Sequence, residues 1–395
     1  MTTAEAMAEL AALHKDRPNL RLPTAASFKD KRRRYLEALR DENIALNNRE
    51  WAEKRVILAS TPQVVFLQIN AVCNADCVFC SKGYDYPIFD IDDYFGKYGG
   101  SVLPVLRRAR ELILTGSGEF LGLPKARRIL ERFNRQLPHV DKYVATNASH
   151  LKPELLDLIV GGESRYTLQL SLHAADRETF ETMMRYKAYD RVMGNIRSLM
   201  EKRDPGKTRV YFMFVMTTLN AESLPDFIRF AKGMGADRVI AGYFYIYEAQ
   251  QKYLSLYFKQ DLANRVIAEA GKVAAELKMD VSLPHPFGLK DEPASKPGSC
   301  IEPWHQIMFN PDGGVLPCDV YGGFRETLNE KTFQEIWNGP SYRSIRRALK
   351  TGGGCLATCP RHNPIGVNDW RAHVIHRHKD EKQIVKEYHE ALKKP

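Results

Sequence analysis

The 395-residue sequence has no apolar run of the ~18–20 residues that would span a bilayer. Its opening stretch, MTTAEAMAELAALHKDRPNL, lacks a basic region followed by an apolar core, so it does not read as a secretory signal. These absences predict a cytoplasmic protein with no membrane partner. Zinc-finger spacing and aromatic RNA-binding signatures are also missing, so the net charge of +10 is not accompanied by a nucleic-acid motif. The basic residues are spread along the chain. Their densest group, Lys29-Asp30-Lys31-Arg32-Arg33-Arg34, falls in an amphipathic helical pattern and reads as a solvated face, and no nucleic-acid partner is expected. Cysteine is sparse and uneven: there are seven, with none between Cys80 and Cys300. An odd number in a cytoplasmic chain argues against a disulfide framework.

What is present is an ordinary globular composition, 44% hydrophobic and 27% charged, on a chain too long for one small core. Residues 1–60 read as a helical N-terminal extension whose main helix ends at Asn47-Asn48. From 61 to 246 strands alternate with helices. Strands are predicted at 64–69, 111–118, 141–147, 166–173, 209–218 and 237–245, with helices at 125–136, 153–160, 191–202 and 223–236. Six β–α units imply a parallel sheet with right-handed crossovers, an α/β partial (β/α)6 TIM-like barrel with functional loops at the C-terminal strand ends. Residues 247–298 read as a helical linker ending in the Pro-rich LPHPFGLKDEPASKPGS. Residues 299–375 begin with a β-hairpin around Asn310-Pro311-Asp312-Gly313-Gly314 and continue into a helix broken at Gly339-Pro340. A C-terminal helix is expected over 376–395.

Three cysteines fall within eight residues, Cys73-Asn-Ala-Asp-Cys77-Val-Phe-Cys80, just past the first strand. Three thiolates on one short loop can ligate three corners of an iron–sulfur cubane, which ordinarily takes four. The missing fourth leaves one iron open. A zinc site needs a fourth ligand, and the nearest downstream histidine is His139. The motif by itself leaves both metals open.

C-x3-C-x-aromatic-C directly after the first strand of a β/α repeat resembles the radical S-adenosylmethionine (SAM) superfamily, over roughly residues 62–245. Gly116-Ser117-Gly118-Glu119 is similar to that family's Gly-Gly-Glu motif, which the resemblance implies contacts the amino group of SAM. Here Ser117 replaces a common glycine and Phe120 stands where proline is usual. Thr146-Asn147 ends the third strand, as in many members. Ser171 matches a position that often contacts the ribose. Arg185, expected about one turn into the following helix, is similar to the arginine that pairs with the methionyl carboxylate. Without the resemblance, each of these is equally a loop glycine, a strand-end polar residue or a surface arginine.

The other four cysteines, Cys300, Cys318, Cys355 and Cys359, bracket the hairpin and follow the last helix. The frame C-x2-P-W … G-G-V-x-P-C-D … I-W-N … C-x3-C resembles the auxiliary-cluster domain called SPASM, or its shorter form, Twitch. Four thiolates suffice for one fully ligated [4Fe–4S] cluster, or for a four-cysteine zinc site.

The resemblance implies two [4Fe–4S] clusters, SAM bound at the first, and an electron donor such as flavodoxin or ferredoxin. It implies cleavage of SAM to a 5′-deoxyadenosyl radical, hydrogen abstraction from substrate, and passage of the substrate's remaining electron to the second cluster. The expected activity is dehydrogenation of a small polar metabolite, of sugar or aminocyclitol type. Peptide modification is the alternative, and a two-cluster electron carrier is the non-enzyme alternative. Oxidation needs a base, and Glu248, His285 and Asp319 are near enough to strand ends or the hairpin to be considered, without any of them standing out. His173, beside Ser171, reads equally as a pocket residue or a hydrogen-bonded core histidine.

Overall fold

The computed structural model describes residues 27–69, 72–80, 89–116, 118–288, 300–318 and 326–353, together with 7, 11, 368 and 373. Ser117, Asp319, Cys355, Cys359 and the C-terminal helix expected over 376–395 lie outside the described residues.

Six strands, β1 (Val64–Gln68), β2 (Glu111–Thr115), β3 (Asp141–Thr146), β4 (Tyr166–Ser171), β5 (Thr208–Met216) and β6 (Arg238–Tyr243), pair in chain order, every neighbour parallel. Burial along them alternates with period two. Leu112, Leu114, Val144, Leu168, Leu170, Phe212 and Phe214 are fully buried. Phe212 and Phe214 meet Phe227 of the helix Leu224–Gly233, which marks that set as the helix-facing side. The opposite, concave face carries the half-buried residues. This is the expected open α/β barrel of six β–α units.

The helix Ile91–Arg108 between β1 and β2 is additional to those expected, and the N-terminal helix differs from expectation in two respects. The N-terminal helix α1 (Phe28–Ala52), capped by Ser27, runs straight through Asn47-Asn48. Asparagine is a poor helix former because its amide competes for backbone groups. Here the amide is engaged elsewhere: Asn47 Nδ2 donates to Ser60 Oγ at 2.7 Å and to the Trp304 carbonyl at 2.9 Å. The basic group on α1 is not wholly solvated either. Lys29 and Arg33 pair with Glu163 at the surface, but Arg32 is buried and donates to the Gln136 carbonyl.

The segment after β6 contains two 3-10 turns and the helix Gln260–Glu276. It ends in a two-residue strand, β7 (Val281–Ser282), that extends the sheet beyond β6. At the other edge the expected hairpin forms from β8 (Gln306–Phe309) and β9 (Gly314–Leu316), with a short β10 (Glu326–Thr327) alongside. What the sequence pattern did not foretell is that β8 pairs in parallel with β1, Val64 opposite Gln306 and Leu67 opposite Phe309. One ten-stranded sheet therefore runs β10-β9-β8-β1-β2-β3-β4-β5-β6-β7. Residues 55–63 are stitched to the same C-terminal segment. Trp304 Nε1 donates to the Arg55 carbonyl, Trp337 Nε1 to that of Ser60, and buried Arg346 to that of Val56. Among the described residues no helix is long and apolar enough to cross a membrane.

Lys142, on the helix-facing side of β3, is fully buried, its ammonium donating to Ser164 Oγ at 2.7 Å and to the Leu137 carbonyl. Burial pushes its pKa from 10.5 down to about 7. Between those values the unfolded chain binds more protons than the folded one, so stability rises with pH through that window. Lys142→Met should lack this slope. In urea melts the parent is expected to gain on the variant from about pH 7 to about pH 10, by at most about 1.4 kcal/mol per pH unit. Parallel pH profiles would mean that the folded protein keeps this ammonium charged.

Candidate iron–sulfur and SAM site

β1 ends at Gln68, and residues 72–80 then run across the C-terminal ends of the neighbouring strands. Backbone hydrogen bonds hold this loop from both sides. On one side the Glu119 N–H donates to the Val72 carbonyl at 3.0 Å. On the other, the Asp76 and Val78 N–H groups donate to the carbonyls of Met184 and Met183, the last residues of the helix Arg177–Met184. Side chains add to this. Asn74 donates to Ser149 Oγ at 2.9 Å and accepts from Asn147 Nδ2 at 3.1 Å. Phe79, between the second and third cysteines, meets His173 edge-on with ring centroids 4.5 Å apart.

The three thiols feel one another. Burial pushes Cys77 up to about 12, with the charges of Cys80 and Cys73 adding to the effect. Cys73 is raised by burial first, then by Glu119 and Cys80, against the backbone N–H groups of Ala75 and Asn74. Three mutually repelling thiolates beside a carboxylate favour a bound cationic group. Among the described residues no three Cys, His, Asp or Glu side chains converge on a single metal-ion position. A cubane takes each thiolate on a different iron, and three thiolates on one loop can supply three of its corners. This donor set fits an iron–sulfur group.

Gly118 explains its own identity. A Cβ there would lie 2.2 Å from the Val72 carbonyl oxygen and 2.7 Å from its carbon, so the turn after β2 can approach the cysteine loop only without a side chain. Glu119 is buried and fully engaged by protein. Its carboxylate accepts from Thr146 Oγ1 at 2.6 Å, the Asn147 N–H at 2.7 Å and the Leu121 N–H at 3.1 Å. Burial pushes its pKa up in spite of those bonds. Gly116 directly follows the last residue of β2, and Ser171 is the last residue of β4, on the concave face with Gln169.

Arg185 is not one turn into a helix. It is the C-terminal cap of Arg177–Met184, in the left-handed region at φ 47°, with Nη1 3.5 Å from Asp76 Oδ2. The helix end thus delivers it to the cysteine loop itself. Ala148 and His173 also have positive φ, both 59°. Of the five such non-glycine residues described, three lie at strand or helix ends around the loop, where backbone strain commonly accompanies function.

His173 is a core residue, not a pocket lining. Its Nδ1 accepts the Val215 N–H at 3.0 Å, and burial holds its pKa down at about 3, so the ring is neutral with its proton on Nε2. Sequence reasoning singled out Asn147, the aromatic Phe79 and His173 but not what they clamp, and it missed Asn74 and Ser149. The only signals were short polar residues after Cys73 and after β3, and the aromatic before Cys80.

Below the loop, the concave positions nearest the strand ends are Gln68, Thr115, Ala145, Gln169, Ser171, Val215 and Gly242, none of them charged. Tyr143 Oη donates to Gln169 Oε1 at 2.5 Å, and Gln68 Nε2 is buried without a hydrogen-bond partner among the described residues. Charged concave residues, Glu111, Asp141 and Arg238, sit at the strand starts. A cavity of about 370 Å³ lies elsewhere, lined by residues that include Asn43, Thr61, Pro104 and Phe333, and takes no part in this site.

Cys300 is buried and close enough to Lys54 to raise its pKa against the larger effect of burial, and Cys318 lies near Tyr342. Met308 stands opposite Leu316, which sets Cys318 level with the start of β8 and hence with the start of β1. The two cysteine sets therefore begin at opposite ends of β1. Of the bases considered from sequence, Glu248 is an exposed cap of the 3-10 turn Ala249–Leu254, and the His285 carbonyl accepts from Tyr243 Oη.

Residues 67–231 match the model of the radical SAM superfamily, and residues 300–360 that of an iron–sulfur cluster-binding domain, SPASM. A probable GTP 3′,8-cyclase of Saccharolobus islandicus is 29% identical over 180 residues, 44% of this chain and 54% of that protein. The chain thus spans about half the length of the curated relatives it matches. Streptococcus suis SuiB bound to S-adenosylmethionine superimposes with a TM-score of 0.63 at 16% identity, over 94% of this chain and 88% of SuiB. Native anSMEcpe with bound AdoMet gives 0.57 at 17% identity, over 84% and 97%. At these identities the structural likeness is one of fold.

Gly118→Ala should push the cysteine loop off its seat. Reconstituted anaerobically, it is expected to cleave SAM roughly 10²-fold more slowly, the cost of an ångström-scale misplacement. Near-parental 5′-deoxyadenosine formation would mean that the contact with Val72 is not needed.

Proposed function

This chain belongs to the radical SAM superfamily and carries an iron–sulfur cluster-binding domain toward its C-terminus, and we propose that it oxidises a small polar molecule, of sugar or aminocyclitol type, as a dehydrogenase. In this reading Cys73, Cys77 and Cys80 hold one [4Fe–4S] cluster, and Cys300, Cys318, Cys355 and Cys359 a second. Gly116, Ser117, Gly118, Glu119, Ser171 and Arg185 form the SAM subsite. The chemistry these groups supply when bound is reductive cleavage of SAM to a hydrogen-abstracting 5′-deoxyadenosyl radical at the first cluster and uptake of the substrate's second electron at the other. Glu119 braces the turn that presents Gly118, while the exposed Arg185 guanidinium, 3.5 Å from Asp76 on the cysteine loop, would receive the carboxylate of SAM. An electron donor such as flavodoxin or ferredoxin would act on it in the cytoplasm.

The observation that carries the substrate class is the concave face under the cysteine loop, uncharged and polar at the ends of β1, β2 and β4. Gln68, Thr115, Gln169 and Ser171 offer amides and hydroxyls, which can hydrogen-bond the hydroxyl or ammonium groups of a sugar or aminocyclitol. A triphosphate would need cations, and the concave charges lie at the far ends of the strands. A peptide is the second reading. It is favoured by exposed Leu219 and Tyr253 near the exit of β5, and by the fold shared with SuiB, whose structure has also been solved with the precursor peptide SuiA.

Anaerobically reconstituted, reduced protein should form 5′-deoxyadenosine from SAM, and none would sink the enzyme reading. Aminocyclitols and sugars, but not GTP or short peptides, should raise that rate and be consumed. About eight iron atoms per chain are expected for two clusters, whereas about four with one zinc would remove the second electron acceptor. Cys77→Ala should abolish SAM cleavage. Cys318→Ala should spare part of it yet yield no oxidised product, and unchanged product formation would make the second set purely structural.

A further inference from the structure

His373, 14 residues beyond Cys359, is buried at 3% exposure against the exit of β6. Its ring stacks on Phe287 and meets Tyr243 and Tyr257, each centroid 5.4 Å away. These three partners come from different places: the end of β6, the 3-10 turn Leu256–Phe258 and the loop after β7. Nearby, the Gly288 N–H donates to Asn368 Oδ1 at 2.7 Å, a second point at which this segment grips the barrel. The His373 carbonyl then accepts the Ile246 N–H at 2.7 Å.

Ile246 is the hinge of the matter. With Phe244 and Leu254 it forms a small apolar core separate from the main one, and the residues packed on that core are Val78, Phe79, Val215 and Tyr247. Val78 and Phe79 lie between Cys77 and Cys80. An unbroken set of contacts thus leads from His373 through Ile246 to the cysteine loop, and from the other side Phe79 is met by His173. The loop's outer half therefore rests on a surface whose position depends on a residue at the far end of the chain.

We propose that His373 is a positioning residue for the first cysteine loop: by fixing Ile246 it sets where Val78 and Phe79, and hence Cys77 and Cys80, can sit. The C-terminal segment thereby has a second task beyond supplying its own thiols, since the first site is fully formed only when that segment is docked. The ring stacks on Phe287 and the backbone carbonyl takes the Ile246 N–H, so phenylalanine is expected to keep the stacking that alanine loses.

The test uses the full chain carrying His373→Ala or His373→Phe. Hydrogen–deuterium exchange is followed in 72–80 and 244–254, with β3 and β4 as reference. His373→Ala is expected to speed exchange of the Asp76 and Val78 amides by about tenfold or more, leaving β3 and β4 unchanged, and His373→Phe to restore protection. The second readout rests on the proposed iron–sulfur role. After anaerobic reconstitution and reduction, SAM should alter the electron paramagnetic resonance signal of the parent and of His373→Phe, but much less that of His373→Ala. Unchanged exchange in 72–80 while 244–254 loosens would overturn the proposal, as would a His373→Phe variant no better than alanine. If His373→Ala also loosens β3 and β4, Phe287→Ala is read in its place with the same two outcomes. Exchange effects without any SAM-sensitive signal in the parent would leave the positioning role standing and count against the cluster reading instead.

Discussion

One buried carboxylate ties the mouth of the barrel together. Glu119 receives three hydrogen bonds, two of them from Thr146 and Asn147 at the end of β3, and its own N–H reaches Val72 on the loop after β1. A carboxyl group this deep is costly unless its oxygens are satisfied, and here the satisfaction comes from the elements that must stay in register for the cysteines to be presented. The strand ends of β1, β2 and β3 are thus fixed through one residue, by its carboxylate on one side and its N–H on the other. The acidic residue of the Gly-Ser-Gly-Glu turn works as a brace, and its fixed position is what allows Gly118 to press against Val72 without a Cβ between them. The turn's sequence is explained first by packing and only then by any ligand it touches.

The barrel was legible because its signal is local. Strands of five to nine residues alternate cleanly, and each is followed by a helix with an apolar stripe. The hairpin was legible from Asn310-Pro311-Asp312-Gly313, where Gly313 takes φ +84°. What escaped is non-local. The run through Asn47-Asn48 is helical because Ser60 and Trp304 engage the amide, and nothing near residue 47 announces Trp304. Arg32 reads as one of several solvated cations until the Gln136 carbonyl is found beside it. Arg185 was assigned to the correct neighbourhood but the wrong end of a helix, because a left-handed cap on an arginine has no sequence mark.

The site divides the same way. The cysteine spacing and the turn after β2 were readable as motifs, and Gly118 and Glu119 do stand against the loop that carries Cys73. The groups that hold the loop in place, Asn147, Ser149, His173 and the carbonyls of Met183 and Met184, are drawn from three stretches of chain and share no periodicity. A motif records the residues that touch a ligand, whereas the residues that aim them are chosen by the fold.

The parallel pairing of β8 with β1 bears on how such a chain comes to be folded at all. Val64 and Gln306 are neighbours in the sheet but 242 residues apart in sequence, so this ladder closes only after almost everything between has been made. Contacts of such long range are slow to form. Until they do, β1 offers an unpaired edge bearing Val64, Val65, Phe66 and Leu67, the kind of exposed strand that recruits other chains. The strand that carries the reactive loop is therefore among the first to be synthesised and among the last to be protected. A cell that makes this protein faces a problem of timing as much as of metal supply.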